Sequence, residues 1–318
     1  MSISLSIVII GKNSSKTLDL CLSKCKEALE NTDKINRYEC IYVDSRSTDR
    51  SVKIAKQHKC QIIRITKGFT SAALGRELGK QHARFDYLLF LDADMELYPN
   101  WLDYVVPHLI QYRAVTGERH ELVYHENQLV KDIPKFNKIE KIQPLRYQGG
   151  FLMIEKKLAD TAHFHALCRT EEEGDFYAQF RYECTIMELP EQAFKHHNYK
   201  NISARFKHYL LPFRSIEYLY SLKNSIQKGY FKGFLKVQGR YITNIVASVV
   251  FYIGVITFQP LLLVVWFLLL LTNGWHIIKG SIMSSLLFPY KFLMALIFYS
   301  RTYTSTYKIN GVEKRIRH

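Results

Sequence analysis

Apolar positions in the first third of the chain follow two patterns, one typical of buried strands and the other of amphipathic helices. Short, nearly continuous apolar runs are typical of strands covered on both faces. These runs are residues 3–10, 38–43, 60–65 and 87–91. Between the runs, apolar or small residues recur at helical spacing over residues 15–30, 47–55 and 71–83. This alternation predicts an α/β fold with a Rossmann-like, mostly parallel sheet and helices on both faces.

Polar residues follow three of these predicted strands. Asn13 and Asp44 come after the first and second runs, and the pair Asp92 and Asp94 comes after the fourth. Ligands of parallel sheets bind beyond the carboxyl ends of the strands, so these side chains are expected at one edge. Carboxylates two residues apart suit Mg²⁺ or Mn²⁺ shared with substrate phosphates. The same residue types also form caps and turns after strands, so the spacing alone leaves both interpretations open.

The last part of the chain is basic and apolar. The formal net charge is +15, and Glu217 and Glu313 are the only acids after residue 194, so the excess lies there. Residues 206–220 combine helical apolar spacing with a basic polar side, which favours a helix in a membrane interface. Residues 242–272 contain no charge, and 281–300 contain only Lys291. Both stretches are long enough to predict transmembrane helices.

The predicted organisation therefore has three regions: a catalytic domain over 1–200, basic amphipathic helices over 201–240, and a membrane region with a basic cytoplasmic tail over 241–318. The pair Gln259-Pro260 would either kink one helix or separate two short ones. Basic residues flank the two apolar stretches on the outer sides, so the positive-inside rule predicts a multi-pass protein of the cytoplasmic (inner) membrane with its catalytic domain in the cytoplasm. A nucleic-acid partner is not expected, because the charge lies against apolar segments.

A series of motifs resembles the inverting family 2 glycosyltransferases, whose nucleotide-sugar-binding fold is called GT-A. The matching segments are residues 6–13, 42–49, 75–79, 91–95, 172–176 and 190–196. The chain departs from the family pattern at several points. Ser45 and Arg46 stand where the family has Asp-Gly, Glu77 stands in place of an Asn, and the usual proline after the first strand is missing.

The resemblance implies a donor site for a nucleotide diphosphate sugar. The implied donor-binding residues are Asn13, Asp44, Arg76, Asp92, Asp94 and His196. Asp44 would accept a hydrogen bond from the base, and Arg76 would bind phosphate. Asp94 would ligate Mg²⁺ or Mn²⁺ with Asp92 as a direct or outer partner, and His196 would touch the diphosphate or the cation. Gly150 and its neighbour Gly149 would let the backbone approach the sugar or the acceptor.

The resemblance also implies a general base that deprotonates the acceptor hydroxyl. Glu173 fills that place in the motif, with Glu172 as the second candidate and Asp175 as the third. Attack on the anomeric carbon from the face opposite the diphosphate would pass through an oxocarbenium-like transition state and invert the configuration.

These observations predict a metal-dependent hexosyltransferase that moves one sugar to a lipid-linked glycan in cell-surface polysaccharide synthesis. The Q-x-x-R-W motif of processive relatives is not found between Glu173 and Arg240, which favours a single addition. Two alternatives remain open at this point. The acceptor could be polyprenyl phosphate itself, or the chain could be a catalytically inactive, membrane-bound partner subunit.

Overall fold

The computed structural model describes residues 2–145, 149–168, 172–199, 213–271, 289–290, 293 and 303–318. The chain divides into two compact units. The first unit comprises Met1–Leu167, Phe180–Asn201 and Tyr303–His318, and the second comprises Cys168–Gln179 and Ile202–Thr302. Each unit is described by itself below.

The centre of the first unit is a parallel sheet formed by the four predicted strands. Their bounds are β1 Ile3–Gly11, β2 Ile35–Asp44, β3 Gln61–Gly68 and β4 Tyr87–Asp92. They lie in the order β3-β2-β1-β4, and each neighbouring pair is parallel. β1 is buried along almost its whole length, as its continuous apolar sequence predicts. The predicted parallel core is therefore confirmed.

Three predicted helices connect these strands, namely α1 Leu18–Glu30, α2 Ser51–Gln57 and α3 Ala72–His82. The small residues of α3 allow a close approach to β1. A Cβ atom on Gly79 would lie 2.1 Å from Cγ1 of Val8, so a larger residue there would force the helix away from the sheet. Ser71 caps this helix by accepting a hydrogen bond from the Leu74 N–H. The position of α3 in turn fixes Arg76 and Glu77, which it carries.

The sheet as a whole is mixed, which corrects the expectation of a mostly parallel sheet. In the described part of the chain it has 12 strands in the order β12-β11-β3-β2-β1-β4-β9-β6-β10-β5, with β7 beside β6 and β8 beside β10. The added strands are β5 Met95–Leu97, β6 Ala114–His125, β7 Gln128–Ile133, β8 Gln143–Pro144, β9 Leu152–Glu155 and β10 Met187–Tyr199. The helices of this region are α4 Trp101–Tyr112, α5 Lys156–Ala159 and α6 Glu172–Phe180. Apart from the parallel pair β6 and β10, these additions pair antiparallel.

The last residues form a β-hairpin, not a tail that belongs to a membrane region. β11 Thr304–Ile309 and β12 Val312–Arg317 are antiparallel, and β11 pairs with β3. The turn between them is Asn310-Gly311, and both residues have positive φ, 49° and 82°. This is the turn chemistry that two-residue hairpins require. The hairpin therefore extends the sheet of the first unit at the edge of β3.

The second unit is helical. After α6, its helices are α7 Phe213–Gln227, α8 Phe231–Gln238, α9 Arg240–Ile256 and α10 Pro260–Leu271. Residues 201–212, which hold the first part of the predicted interfacial helix, lie outside the described residues, and so does nearly all of the stretch 281–300.

Of the two interpretations that Gln259-Pro260 left open for 242–272, the structure has the one with two helices. α9 ends at Ile256 and α10 begins at Pro260, with Phe258 between them in the left-handed region at φ 52°. The helices are joined by a short turn and pack together, and the rings of Phe251 and Trp266 have centroids 4.8 Å apart. Among the described residues, no helix has both the length and the apolar character needed to cross a bilayer.

Candidate active site

The strand order brings the predicted donor residues together at one edge of the parallel sheet. The chain order reverses between β1 and β4, and the crevice beyond the carboxyl ends at such a reversal is where open α/β sheets bind ligands. Gly11 lies opposite Asp44, and Ile10 lies opposite Asp92. The carboxylates that follow β2 and β4 therefore flank the end of β1, as the sequence predicts.

Hydrogen bonds tie together the loops that follow β1 and β2. The Asn13 N–H donates to Oγ of Ser47 at 2.8 Å, and the Asn13 side-chain oxygen accepts from the Thr48 N–H at 2.8 Å. Asp49 accepts from the Ser15 N–H at 2.9 Å and from the Ser51 hydroxyl at 2.6 Å. Asn13 therefore lies at the predicted edge, where its side-chain oxygen fixes the neighbouring loop.

Asp44 is fully buried at the end of β2. Its carboxylate accepts from the Ser47 N–H at 3.3 and 3.2 Å, and Oδ2 lies 3.3 Å from Nε of Arg64. Half of the Arg64 side chain is exposed. Because Asp44 is fully buried, a nucleotide base reaches its carboxylate only if a neighbouring side chain moves, and Arg64 is the half-exposed neighbour paired with it.

The departures from the family motifs have local explanations. Arg46 replaces the family's glycine yet keeps a left-handed conformation at φ 66°, and its guanidinium donates to the Gly68 carbonyl at 3.1 Å. Glu77 is buried and accepts hydrogen bonds from the Phe164 N–H at 2.9 Å and pairs with Lys80 at 3.1 Å. Burial raises the pKa of Glu77, but Lys80 and the hydrogen bonds outweigh it and lower the pKa. Glu77 therefore anchors the segment around Phe164 to α3.

Arg76 and Asp92 form an ion pair at the end of β4. The Arg76 guanidinium donates to Oδ1 of Asp92 at 2.8 Å, and the Arg76 side chain is almost completely buried. Gly150 lies directly against this pair. A Cβ added to Gly150 would be 2.3 Å from Oδ2 of Asp92 and 2.6 Å from the Arg76 guanidinium. Arg76 thus orients the first carboxylate of the motif, and only glycine allows this backbone approach.

Asp94, the second carboxylate of the motif, lies beside His196 of β10. Oδ2 of Asp94 is 3.7 Å from Nε2 of His196, which is too long for a hydrogen bond. Oδ1 of Asp94 is buried and accepts no hydrogen bond from the described residues. A buried carboxylate oxygen without a partner is costly, and a bound cation would satisfy it.

Glu121 holds His196 from the other side, and the sequence patterns did not single it out. Its Oε2 lies 2.9 Å from Nδ1 of His196, and its Oε1 accepts from the Asn198 amide at 2.6 Å. Burial lowers the pKa of His196, but the carboxylates of Asp94 and Glu121 more than offset this and raise the pKa to about 9. Burial raises the pKa of Glu121, and the bonds from His196 and Asn198 outweigh it and lower the pKa. The Glu121 carboxylate thereby fixes which ring nitrogen of His196 faces Asp94.

The residues at this edge fit a hard divalent cation. Asp94 supplies an oxygen ligand. A carboxylate fixes the ring of His196, as is usual for histidines that bind metals, but with a pKa of about 9 its Nε2 carries a proton near neutral pH that a cation would have to displace. Mg²⁺ commonly takes only one or two carboxylates and completes its shell with substrate phosphates and water. Among the described residues, no group of three or more His, Cys, Asp or Glu side chains is arranged to hold an ion.

The three candidate bases lie in the first turn of α6 and belong to the second unit. Glu172 is buried, Glu173 is half-buried, and Asp175 is fully buried. Asp175 accepts a hydrogen bond from the Tyr230 hydroxyl at 3.1 Å. Burial and the neighbouring carboxylate raise the pKa of Tyr230, so the hydroxyl remains a donor. Asp175 therefore connects α6 to the residue that precedes α8.

Two solved structures of a staphylococcal protein resemble this fold. The crystal structure of S. aureus TarS 1-349 has a TM-score of 0.51 and 14% identity, over 75% of this chain and 73% of that chain. The crystal structure of S. aureus TarS 1-349 in complex with UDP-GlcNAc has a TM-score of 0.51 and 13% identity, over 74% of this chain and 73% of that chain. At such low identity the likeness establishes the fold alone. No curated protein sequence matches the chain.

The sequence profile of glycosyl transferase family 2 matches residues 6–172, which is more than half of the chain. The matched region begins in β1, includes the edge that carries Asp44, Asp92 and Asp94, and ends at the first residue of α6. The fold and the sequence profile agree with the motifs that pointed to this family. The chain therefore belongs to glycosyl transferase family 2 and has a GT-A-like mixed α/β fold.

Proposed function

We propose that the protein transfers a single sugar, with inversion, from a nucleotide diphosphate sugar to a lipid-linked glycan in cell-surface polysaccharide synthesis. The observation that carries the proposal is the register of the parallel strands, which aligns the ends of β1, β2 and β4 at the crevice. The donor class is also supported by the complex of S. aureus TarS with UDP-GlcNAc, a structural neighbour.

Asp94, with Asp92 as a direct or outer partner, would hold Mg²⁺ or Mn²⁺, and His196 would touch the diphosphate or the cation. The Asp94 oxygen that has no hydrogen-bond partner among the described residues supports this assignment. When bound, the cation would neutralise charge that develops on the diphosphate leaving group. Asp92, oriented by Arg76, would bind the ribose. Asn13 would keep the loops after β1 and β2 in place for the donor, and Asp44 would accept the N–H of the base once Arg64 has moved.

Glu173 is proposed as the general base, with Glu172 and Asp175 as the second and third candidates. The base takes the proton of the acceptor hydroxyl as its oxygen attacks the anomeric carbon, and the diphosphate leaves on the opposite face. The hydrogen bond from Tyr230 favours a structural role for Asp175. If this order is right, Glu173→Gln lowers turnover more than Glu172→Gln or Asp175→Asn does.

Attachment to the cytoplasmic face of a membrane is part of the proposal. Several apolar side chains of α9 and α10 are exposed, among them Ile253, Ile256, Leu261 and Leu268. Exposed apolar surface of this kind marks contact with a protein or a membrane. A lipid-bound acceptor lies in the plane of the membrane, so attachment would raise the frequency of encounter.

A donor screen tests the proposal. The full chain is incubated with a panel of nucleotide diphosphate sugars that includes UDP-GlcNAc, Mn²⁺ or Mg²⁺, and a membrane lipid extract, and the released nucleoside diphosphate is measured. We expect release from one donor and an inverted linkage in the lipid product. Asp94→Ala should reduce release about a thousandfold, because cation stabilisation contributes several kcal/mol. The control Asp160→Ala, which removes an exposed acid paired with Lys156, should leave release unchanged.

The outcomes also separate the alternatives. A product that carries one sugar linked directly to polyprenyl phosphate would replace the glycan acceptor with that lipid. No release from any donor, with a folded protein, would favour the inactive partner subunit. Normal release by Asp94→Ala would contradict the cation assignment.

A further inference from the structure

The edge of the sheet formed by β3, β11 and β12 has a strongly basic outer face. Residues directly opposite each other in a sheet share a face. Arg64 of β3 lies opposite Lys308 of β11. Thr306 of β11 lies between Lys67 of β3 and Arg315 of β12, and Thr304 of β11 lies opposite Arg317 of β12. We call the five cations the basic face; they are Arg64, Lys67, Lys308, Arg315 and Arg317. All five are exposed.

The opposite face of the hairpin is fixed against the body of the first unit. Ser305, Tyr307 and Ile309 of β11 alternate with the outer residues and are buried. Tyr307 packs edge-on against His82 of α3, with ring centroids 5.8 Å apart. Because side chains alternate along a strand, this burial holds the basic face toward solvent.

The charge of the basic face is poorly balanced. Within β3, β11 and β12, Glu313, opposite Lys308, is the one acid in these rows, and Asp44 of β2 lies opposite Arg64. Lys67, Lys308, Arg315 and Arg317 make no ion pair with any described residue, whereas Arg64 pairs with Asp44. Like charges opposite each other, as at Arg64 and Lys308, destabilise a sheet. A face that keeps these cations together is therefore suited to an anionic partner.

A cavity of about 540 Å³ lies on this edge of the sheet. Its lining residues are Lys67, Thr304, Thr306, Glu313, Lys314 and Arg315. Ammonium, guanidinium and hydroxyl groups are hydrogen-bond donors, and together they match the oxygens of a phosphate group. The lining holds three cations and two hydroxyl groups against one carboxylate, that of Glu313, so its net charge is positive like that of the face around it.

The position of the hairpin in the sequence indicates which kind of phosphate the basic face binds. The apolar stretch 281–300 ends four residues before Thr304. Because an extended chain spans at most about 3.6 Å per residue, β11 begins within about 15 Å of the end of that stretch. Basic residues this close to a membrane segment gain about fivefold in affinity each from anionic lipids.

We infer that the basic face binds the phosphate groups of anionic lipids at the surface of the membrane, an inference that rests on the proposed membrane attachment. The contact would hold the first unit at the bilayer through a surface that does not include Asp92 or Asp94 and that meets the donor-binding residues at Arg64, which pairs with Asp44. Nucleic acid presents similar phosphates. The apolar stretch next to the hairpin favours lipid, whereas no feature of the sequence favours nucleic acid.

Vesicle binding of the full chain tests the inference. Partition is measured into vesicles of pure POPC and into vesicles with 30% POPG, at 0.1 M and 0.5 M NaCl. We expect a preference for POPG that weakens with salt. The triple variant Lys67→Gln, Arg315→Gln, Arg317→Gln should lower this preference about a hundredfold and leave binding to POPC unchanged. The charge-retaining variant Arg315→Lys, Arg317→Lys should keep the preference.

A matched control removes three exposed lysines elsewhere in the first unit, with Lys53→Gln, Lys56→Gln and Lys131→Gln. An equal loss in this control, or an unchanged preference in the basic-face variant, overturns the inference. Binding to POPC without any preference for POPG overturns it too, and leaves the membrane attachment standing. A chain that binds neither vesicle overturns both. If the triple variant loses binding to a 20-nucleotide RNA but keeps the POPG preference, the partner is nucleic acid and the inference is wrong.

Discussion

The two halves of the sheet contribute to the candidate site in different ways. The parallel half, β3-β2-β1-β4, is built from neighbouring segments of the chain and supplies the carboxylates Asp44, Asp92 and Asp94. The other half, β9-β6-β10-β5, joins distant segments and supplies His196 and Glu121. The parallel half therefore places the three aspartates, and the other half orients His196, which faces Asp94.

The largest effect is expected from the second half, at Glu121. In Glu121→Gln the amide no longer fixes the ring of His196 as a carboxylate does, so Mn²⁺ affinity should fall 10- to 100-fold, a range typical for such outer partners. Titration of Mn²⁺ without donor, followed by electron paramagnetic resonance, measures this directly. Glu188→Gln changes another buried acid of β10, which accepts from Gln143, and should not alter Mn²⁺ binding. Equal affinity in wild type and Glu121→Gln would show that His196 needs no such support.

The parallel half can be disturbed at the contact between α3 and β1. Gly79→Ala introduces a Cβ at 2.1 Å from Val8, and overpacking of this kind typically costs about 1–3 kcal/mol. Urea unfolding measures the loss of stability. Gly149→Ala is the matched control, because among the described residues, its chain neighbours aside, no atom lies within 4 Å of its added Cβ. If both variants unfold alike, close packing of α3 does not position Arg76.

The hairpin extends the parallel half at its edge, and its turn offers a third test. Gly311 has φ 82°, where a side chain is strained, so Gly311→Ala should cost about 1–2 kcal/mol. Hydrogen exchange of β11 and β12 should become faster in this variant. Asn310→Gly, at φ 49°, should have little effect. Unchanged exchange after Gly311→Ala would mean that pairing with β3 alone maintains the hairpin.

The smallest effect concerns pH and the loops after β1 and β2. Burial raises the pKa of Asp49, but hydrogen bonds from Ser51 and Ser15 outweigh it and lower the pKa to about 2. A depressed carboxylate pKa stabilises the fold above the unfolded value of about 4, and this stabilisation is lost as the pH falls through about 2. The stability difference between wild type and Asp49→Asn should therefore shrink from pH 5 to pH 2. An equal stability difference at pH 5 and pH 2 would contradict this assignment of Asp49.

The parallel half could be predicted from the sequence because its signals are local. The continuous apolar runs of β1 and β4 indicate strands buried on both faces, and the motif with Asp92 and Asp94 follows one of them directly. The family 2 match, residues 6–172, includes nearly all of this half and continues through β5 to β9. These signals needed no knowledge of distant pairing.

The other half could not be predicted because it depends on pairing between distant segments. Glu121 lies on β6 and meets His196 of β10 across 75 positions of sequence, and no periodicity reveals such a pair. The hairpin did carry a local signal, since Asn310-Gly311 stands between two alternating segments, but its basic residues favoured a membrane-flanking tail. Gln259-Pro260 left two interpretations of 242–272 open, and the structure has two helices there.

The pairing of β11 with β3 has a consequence for limited proteolysis. The chain leaves the first unit after Asn201 and returns to it at Tyr303, so the larger segment of the second unit is anchored at both ends. A protease cut in the turn between α9 and α10 would leave two fragments still joined through the strands Thr304–Ile309 and Gln61–Gly68. The nicked protein should therefore migrate as one species under native conditions and as two on a denaturing gel.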